Sequence, residues 1–275
     1  MNHLIKSYLK FLFHSKNEHG VHSPFVFDLI TKCFYDTTDY PEYKVLKSYR
    51  KSLLENKDTI EVTDFGAGSR VFKSNTREIA KIAQTAGITS KNAELLFRIV
   101  RYFQPKSILE IGTSLGLATS ALSLGTEKAK ITTLEGCPNT QKQAKFQLEE
   151  QNSRFQNIEF VNTEFSNYFK ALNQSPINYN LIYFDGNHSK KATLDYFESL
   201  LPTVSNDTIW IFDDIHWSAE MEEAWEIIKN HPKVTVTIDT FQWGIVCFRK
   251  EQVKENFIIN PNKTISSHIF ERIRF

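Results

Sequence analysis

The chain has 275 residues, a net charge of +1 and a hydrophobic content of 41%, enough for one large α/β domain or a domain with an added cap. Near-neutral charge leaves no global field to draw it to nucleic acid or to an acidic membrane surface. Cys33, Cys137 and Cys247 are scattered without a CxxC pair, which excludes a disulfide framework or cysteine zinc site and fits a reducing compartment.

The chain opens on an apolar stretch carrying Lys6 and Lys10. It is too short to cross a bilayer and has no small-residue cleavage site, so it reads as an amphipathic helix rather than a signal peptide. Membrane insertion is not expected, and cytoplasmic residence is the default reading. His14, His19 and His22 lie close together, but their spacing matches no zinc pattern and favours solvated or capping roles. Ser23-Pro24 predicts a turn that starts a helix at Phe25. The segment Asp64-Phe65-Gly66-Ala67-Gly68-Ser69 has the letters of a cofactor loop, yet no β/α chain follows it, and it reads as a decoy. Residues 1–90 are thus a mainly helical region that serves as a cap, a substrate-selecting element or a homodimer surface.

From residue 91 the texture changes. Ala93, Leu96, Phe97, Val100 and Phe103 form one helical stripe leading through Pro105 into a strand. Strands are expected at 107–111, 130–134, 158–162, 181–184 and 208–212, with helices from Leu117 and across 141–151, 192–201 and 219–229. Two further strands, 234–239 and 245–249, have no helix between them and predict a hairpin with one antiparallel strand. Five β/α units and a terminal hairpin define an α/β, Rossmann-like, seven-stranded, mostly parallel sheet over residues 91–250. Residues 251–275 are a polar tail ending in IFERIRF.

The chemistry concentrates at the carboxyl ends of these strands, where ligands bind in open parallel sheets. Glu110 lies near the end of the first strand, and the chain turns through Gly112 and Gly116 into a helix. Glycines there allow a tight turn and close approach of a ligand. The G-x-x-x-G spacing, with Ser114 where a dinucleotide fold wants glycine, suits a ligand without a pyrophosphate. Glu110 can engage a cationic ligand or its amino group. Glu135 ends the second strand, where an acid accepts hydrogen bonds from ribose hydroxyls. Thr163 and Glu164 follow the third strand, at a position able to meet an adenine amino group. Asp185 ends the fourth strand and Asp213-Asp214 the fifth. Converging carboxylates of this kind can hold Mg²⁺ or another hard divalent ion, or they can simply cap helices. Trp217 and Trp243 are candidates for a substrate wall, or for plain packing.

The segments EIGTSLGLAT, ITTLEG, NLIYFDGNH and IWIFDDIHW, in this order and spacing, resemble class I S-adenosylmethionine-dependent methyltransferases, and most nearly the caffeoyl-CoA and catechol O-methyltransferase group. The resemblance covers roughly residues 91–250. It implies S-adenosylmethionine as cofactor, with Glu110, Gly112, Thr113 and Gly116 at the methionine end, Glu135 at the ribose and Glu164 at the adenine. It also implies a divalent metal on Asp185, Asp213 and Asp214. The family has Asp-Asn where this chain has Asp213-Asp214, and a catalytic lysine where this chain has His188. A histidine there can take a proton from a hydroxyl near neutral pH, or ligate the metal. The expected activity is methyl transfer to a hydroxyl oxygen of a small molecule, with Asp185 and His188 as catalytic groups. Nucleic acid is not an expected partner, since charge is near zero and no Asn/Asp-Pro-Pro-Tyr motif follows the fourth strand. The alternatives are a nicotinamide-dependent oxidoreductase on the same sheet and a non-catalytic methyltransferase-like binding protein.

Overall fold

A computed structural model describes residues 3–63, 74–151, 155–174 and 177–262. The N-terminal region contains α1 (His3–His14), α2 (Pro24–Leu29), a π-helical turn (Ile30–Phe34), α3 (Glu42–Glu55), a small antiparallel hairpin of β1 (Thr59–Glu61) and β2 (Thr76–Glu78), and α4 (Ile79–Thr85). The expected helix start is present, one residue earlier at Pro24, and Ser23 caps it, its hydroxyl accepting the Val26 amide at 3.3 Å. The glycine motif at 64–69 and the C-terminal IFERIRF lie outside the described residues.

Next comes α5 (Ser90–Phe103), N-capped by Thr89. It buries Ala93, Leu95, Leu96, Phe97, Ile99 and Val100, a wider face than the predicted stripe, because helices pack on it from more than one side. Full burial of each large side chain here is worth about 1.5–3 kcal/mol. Arg98 fixes α5 to the π-helical turn, donating to Cys33 O at 3.0 Å, Phe34 O at 3.4 Å and Tyr43 Oη at 3.0 Å.

The remaining elements alternate: β3 (Ser107–Ile111), α6 (Leu117–Leu124), β4 (Lys130–Glu135), α7 (Pro138–Gln151), β5 (Ile158–Asn162), α8 (Phe165–Gln174), β6 (Leu181–Phe184), α9 (Lys190–Leu200), β7 (Ile209–Asp213), α10 (Ala219–Asn230), β8 (Val236–Asp239), β9 (Trp243–Cys247) and β10 (Glu255–Ile258). The sheet order is β10-β8-β9-β7-β6-β3-β4-β5, with β9 antiparallel to both neighbours. The predicted hairpin and the reversed strand are therefore present.

The sheet has eight strands among the described residues, where seven were expected. The extra strand, β10, comes from the segment read as a polar tail and pairs parallel with β8. Only Phe257 within it is buried, and Thr237 Oγ1 donates to Asn256 Oδ1 at 2.7 Å. So short an edge strand carries little hydrophobic pattern to read. Helix α8 was likewise not anticipated.

Two apolar layers flank the sheet. One joins residues 21–53 and helices α4, α5 and α6 to Ile108, Tyr183, Ile211, Ile245 and Trp243. The other joins α8, α9 and α10 to Leu109, Ile111, Ile182, Phe212 and Val246. The alternation follows from strand pleating, which sends successive side chains to opposite faces. Glu110 is registered with Tyr183, and Tyr183 with Ile211. Glu110 thus belongs to the face covered by the N-terminal helices.

Candidate functional site

Strand order reverses between β3 and β6, where the chain leaves β3 toward β4 on one side and returns to β6 on the other. Ligands bind at such switch points in open α/β sheets. Gly112 and Asp185 stand at this crevice, directly beyond the two strands. Gly112 has φ +104°, and a Cβ there would lie 2.2 Å from Asp185 O. Gly116 has φ +74°, and a Cβ there would meet Leu148 Cδ1 at 2.8 Å. Both glycines are thus demanded by backbone conformation and by close neighbours.

Beneath the turn lies Glu110, fully buried. Its Oε2 accepts the hydroxyls of Thr119 at 2.5 Å and Thr133 at 2.6 Å, and Thr133 Oγ1 lies 2.6 Å from Thr113 Oγ1. Thr113 is thereby tied down into the sheet. The other oxygen, Glu110 Oε1, is buried with no hydrogen-bond partner. Burial pushes this carboxyl up to about 8, against the two hydroxyls that favour its ionised form. An orphaned acceptor at a ligand crevice is a costly feature that a cationic donor would satisfy.

Glu135 turns back toward the glycine turn. Its Oε2 accepts the Ser114 amide at 2.9 Å and its Oε1 the Cys137 amide at 3.0 Å. Ser114 adopts φ +48°, a left-handed geometry that presents its N–H to the carboxylate. Burial raises the Glu135 pKa, while the amides of Cys137, Ser114 and Gly136 act in the opposite sense. Asn162, not foreseen as part of the site, donates from Nδ2 to Glu135 O at 2.8 Å and Gly136 O at 3.2 Å. Thr163 donates its amide to Glu135 O at 3.0 Å. Glu164 is exposed and opens α8, its carbonyl accepting the Asn167 and Tyr168 amides at 3.1 and 3.3 Å. The expected ribose and adenine positions therefore lie side by side at the tips of β4 and β5.

On the opposite side of the crevice, His188 Nε2 lies 3.5 Å from Asp185 Oδ1, with side-chain exposures of 27% and 14%. Burial lowers the imidazole's affinity for a proton, but the adjoining Asp185 carboxylate outweighs it and holds His188 up at about 9. Burial raises Asp185, His188 notwithstanding. Asp213 is pushed well up by burial and by the charges of Asp185 and Asp214. Asn187 and Asp214 both have positive φ, +52° and +55°, a strained backbone typical of functional rims.

Asp213 and Asp214 each direct Oδ1 at Gln242 Nε2, at 2.8 Å in both cases. Among the described residues no group of three or more His, Cys, Asp or Glu side chains is disposed to hold a metal ion. Asp185, Asp213 and Asp214 share a rim, and the Oδ1 atoms of Asp213 and Asp214 are both engaged by the Gln242 amide. The histidines at 14, 19 and 22 do not form a cluster either: His14 Nδ1 lies 2.8 Å from Lys10 O and His19 faces Glu18 at 3.6 Å. Trp243 is buried in β9, whereas Trp217 is 42% exposed.

The N-terminal helices complete the crevice, through residues that the sequence did not single out. Tyr49 of α3 is fully buried and donates to Leu115 O at 2.7 Å, inside the glycine turn. Arg50 Nη1 donates to Ile88 O at 2.5 Å. A pocket opens between Gly87 and Ile88 on one side and Thr113, Ser114 and Asp185 on the other.

Strand order, the acid-tipped strands and the glycine turn at the switch point define the class I methyltransferase fold. Residues 109–215 match a family model described as a methyltransferase domain. No curated protein matches the sequence. Among solved structures, an S-adenosylhomocysteine-bound methyltransferase from Podospora anserina superposes with a TM-score of 0.58 at 14% identity, over 83% of this chain and 97% of that one. An O-methyltransferase from Bacillus cereus, in complex with S-adenosylhomocysteine, gives 0.51 at 16% identity over 78% and 93%. An O-methyltransferase of tomaymycin synthesis from Streptomyces achromogenes, in complex with S-adenosylmethionine, gives 0.51 at 16% over 60% and 82%.

Proposed function

We propose that the chain is an S-adenosylmethionine-dependent methyltransferase acting on a hydroxyl oxygen of a small molecule. The observation that carries this reading is the pairing of Glu110 and Glu135 around one turn. The buried, unpartnered Glu110 Oε1 suits the cofactor's amino group. The Glu135 oxygens accept amide hydrogen bonds from Ser114 and Cys137, and an ionised carboxylate has about four acceptor sites. Those remaining lone pairs suit the ribose hydroxyls. Gly112, Thr113 and Gly116 shape the methionine end, while Thr163 and Glu164 border the adenine.

When bound, the cofactor supplies an electrophilic methyl group. His188 and Asp185 act on the acceptor. The neutral imidazole of His188 takes the hydroxyl proton as the oxygen becomes methylated, and Asp185 stabilises the imidazolium that results. The fixed crevice holds the acceptor near the methyl group, and positioning of this kind lowers the barrier to an in-line displacement. Asp213 and Asp214 are engaged by Gln242, and no step is assigned to a metal.

The test is release of S-adenosylhomocysteine from S-adenosylmethionine across a panel of phenols, catechols and aliphatic alcohols, each with an amine or thiol counterpart. Turnover with a hydroxylated acceptor that falls in His188→Ala supports the reading. Turnover confined to the amine or thiol members refutes the oxygen assignment.

A further inference from the structure

Gln242 occupies the short connection between β8 and β9, and its surroundings hold it there from several sides. Its carboxamide nitrogen lies 2.8 Å from Oδ1 of both Asp213 and Asp214. The amide nitrogen only donates, and it presents one N–H to each aspartate oxygen. The main chain repeats the link, with the Asp214 amide donating to Gln242 O at 2.9 Å. Asp213 and Asp214 are thus bound to one side chain and one backbone carbonyl of the same residue.

The connection is itself braced. Phe241 has φ +72°, a conformation that a bulky L-residue adopts only when its surroundings impose it. Its amide donates to Asp239 Oδ1 at 2.8 Å. Its ring stacks on His216, centroids 5.2 Å apart and planes 13° apart. His216 is pinned between Glu222 at 2.7 Å and Asp239 at 2.9 Å. From the other side α1 delivers Tyr8 and Phe11, with centroids 4.8 and 5.5 Å from Phe241. Rotating Gln242 away from the two aspartates would give up both amide hydrogen bonds and leave paired carboxylates at a partly buried rim, which is unfavourable.

A divalent cation on these acids would need the same two oxygens turned to a common point with further oxygen donors. We propose that Gln242 is a positioning residue standing in for such a cation: its amide bridges Asp213 and Asp214 and sets the acceptor-facing rim without metal. The buttress of Phe241, His216 and α1 holds the bridge in place. That the rim faces an acceptor rests on the proposed methyl transfer; the replacement of a cation by the amide does not.

Manganese alone is the probe, titrated against the full-length chain and followed by the electron paramagnetic resonance signal of the free ion. Wild type is expected to leave the ion free into the millimolar range. Gln242→Glu removes the bridge and adds a third carboxylate, so manganese should bind at least about tenfold more tightly. The added binding should be lost when Asp214→Asn is combined with it. Should Gln242→Glu not fold, judged by circular dichroism, Gln242→Ala carries the same expectation of manganese binding by the freed aspartates. Tight binding by wild type that Asp214→Asn abolishes overturns the proposal. So does silence in wild type and both Gln242 variants, because the amide would then not be what closes the site. S-adenosylhomocysteine binding, measured separately on wild type, tests the methyltransferase reading without bearing on the manganese result.

Discussion

Gly112 and Asp185 touch across the crevice between β3 and β6, so closely that a Cβ on residue 112 would fall 2.2 Å from the Asp185 carbonyl oxygen. The contact involves backbone on both sides, and residue 112 also has φ +104°. Gly112→Ala is therefore expected to cost about 2–4 kcal/mol of stability. Urea unfolding would measure it, with Gly20→Ala, beside the flexible Lys16 side chain, as a milder control. Loss of cofactor binding should accompany the Gly112 change.

Glu110 ties stability to pH. Its carboxyl is raised to about 8 in the folded chain, whereas an unfolded glutamate ionises near the ordinary value of about 4.3. Between those limits the folded state holds a proton that the unfolded state has released. Stability contributed by this group is full below the lower value and is lost as pH rises through the window. Glu110→Gln should remove that slope, leaving the apo protein more stable than wild type above pH 8 in thermal melts. It should also weaken S-adenosylmethionine binding, since a neutral amide is a poorer partner for an ammonium group.

A complementary signature is expected in calorimetry at neutral pH. An ammonium group reaching Glu110 would favour the ionised carboxylate and expel its proton. Binding heats measured in buffers of different ionisation enthalpy should then reveal proton release, absent in Glu110→Gln.

His188 makes the reaction rate depend on pH. Asp185 holds the imidazole up at about 9, so at neutral pH the base form is the minority species. The methyl-transfer rate should rise with pH up to about 9 and then level off. His188→Ala should lower kcat by about 10²–10⁴ and remove that rise.

Tyr49 ties the N-terminal region to the glycine turn proposed to hold the cofactor. Tyr49→Phe removes the hydrogen bond to Leu115 O and strands a buried carbonyl, costing about 1–3 kcal/mol. Weaker S-adenosylhomocysteine binding beyond the loss in stability would show that α3 shapes the glycine turn.

Much of this arrangement was visible in the residue pattern. The strands are short β-branched and apolar runs, and Gly112, Gly116 and Glu135 announce themselves because a tight turn and an acid at a strand tip leave local traces. Tyr49, Asn162 and Gln242 leave none. Each acts through a contact between distant parts of the chain, such as Tyr49 with Leu115 or Gln242 with Asp213, and an ordinary tyrosine or amide carries no spacing that reveals its partner. The same holds for the acids at 185, 213 and 214. Their strand-end positions bring them to one rim, but their side-chain directions, with Asp185 toward His188 and Asp213 and Asp214 toward Gln242, depend on those distant partners. The edge strand β10 escaped because its exposed polar residues look like loop.

Isothermal titration of S-adenosylhomocysteine into the full chain, wild type against Glu135→Ala, addresses the central claim most directly. Saturable binding by wild type that is largely lost in the folded variant is the expected result. No binding heat from folded wild type, or undiminished affinity in Glu135→Ala, would contradict a cofactor site built on the turn at residues 112–116.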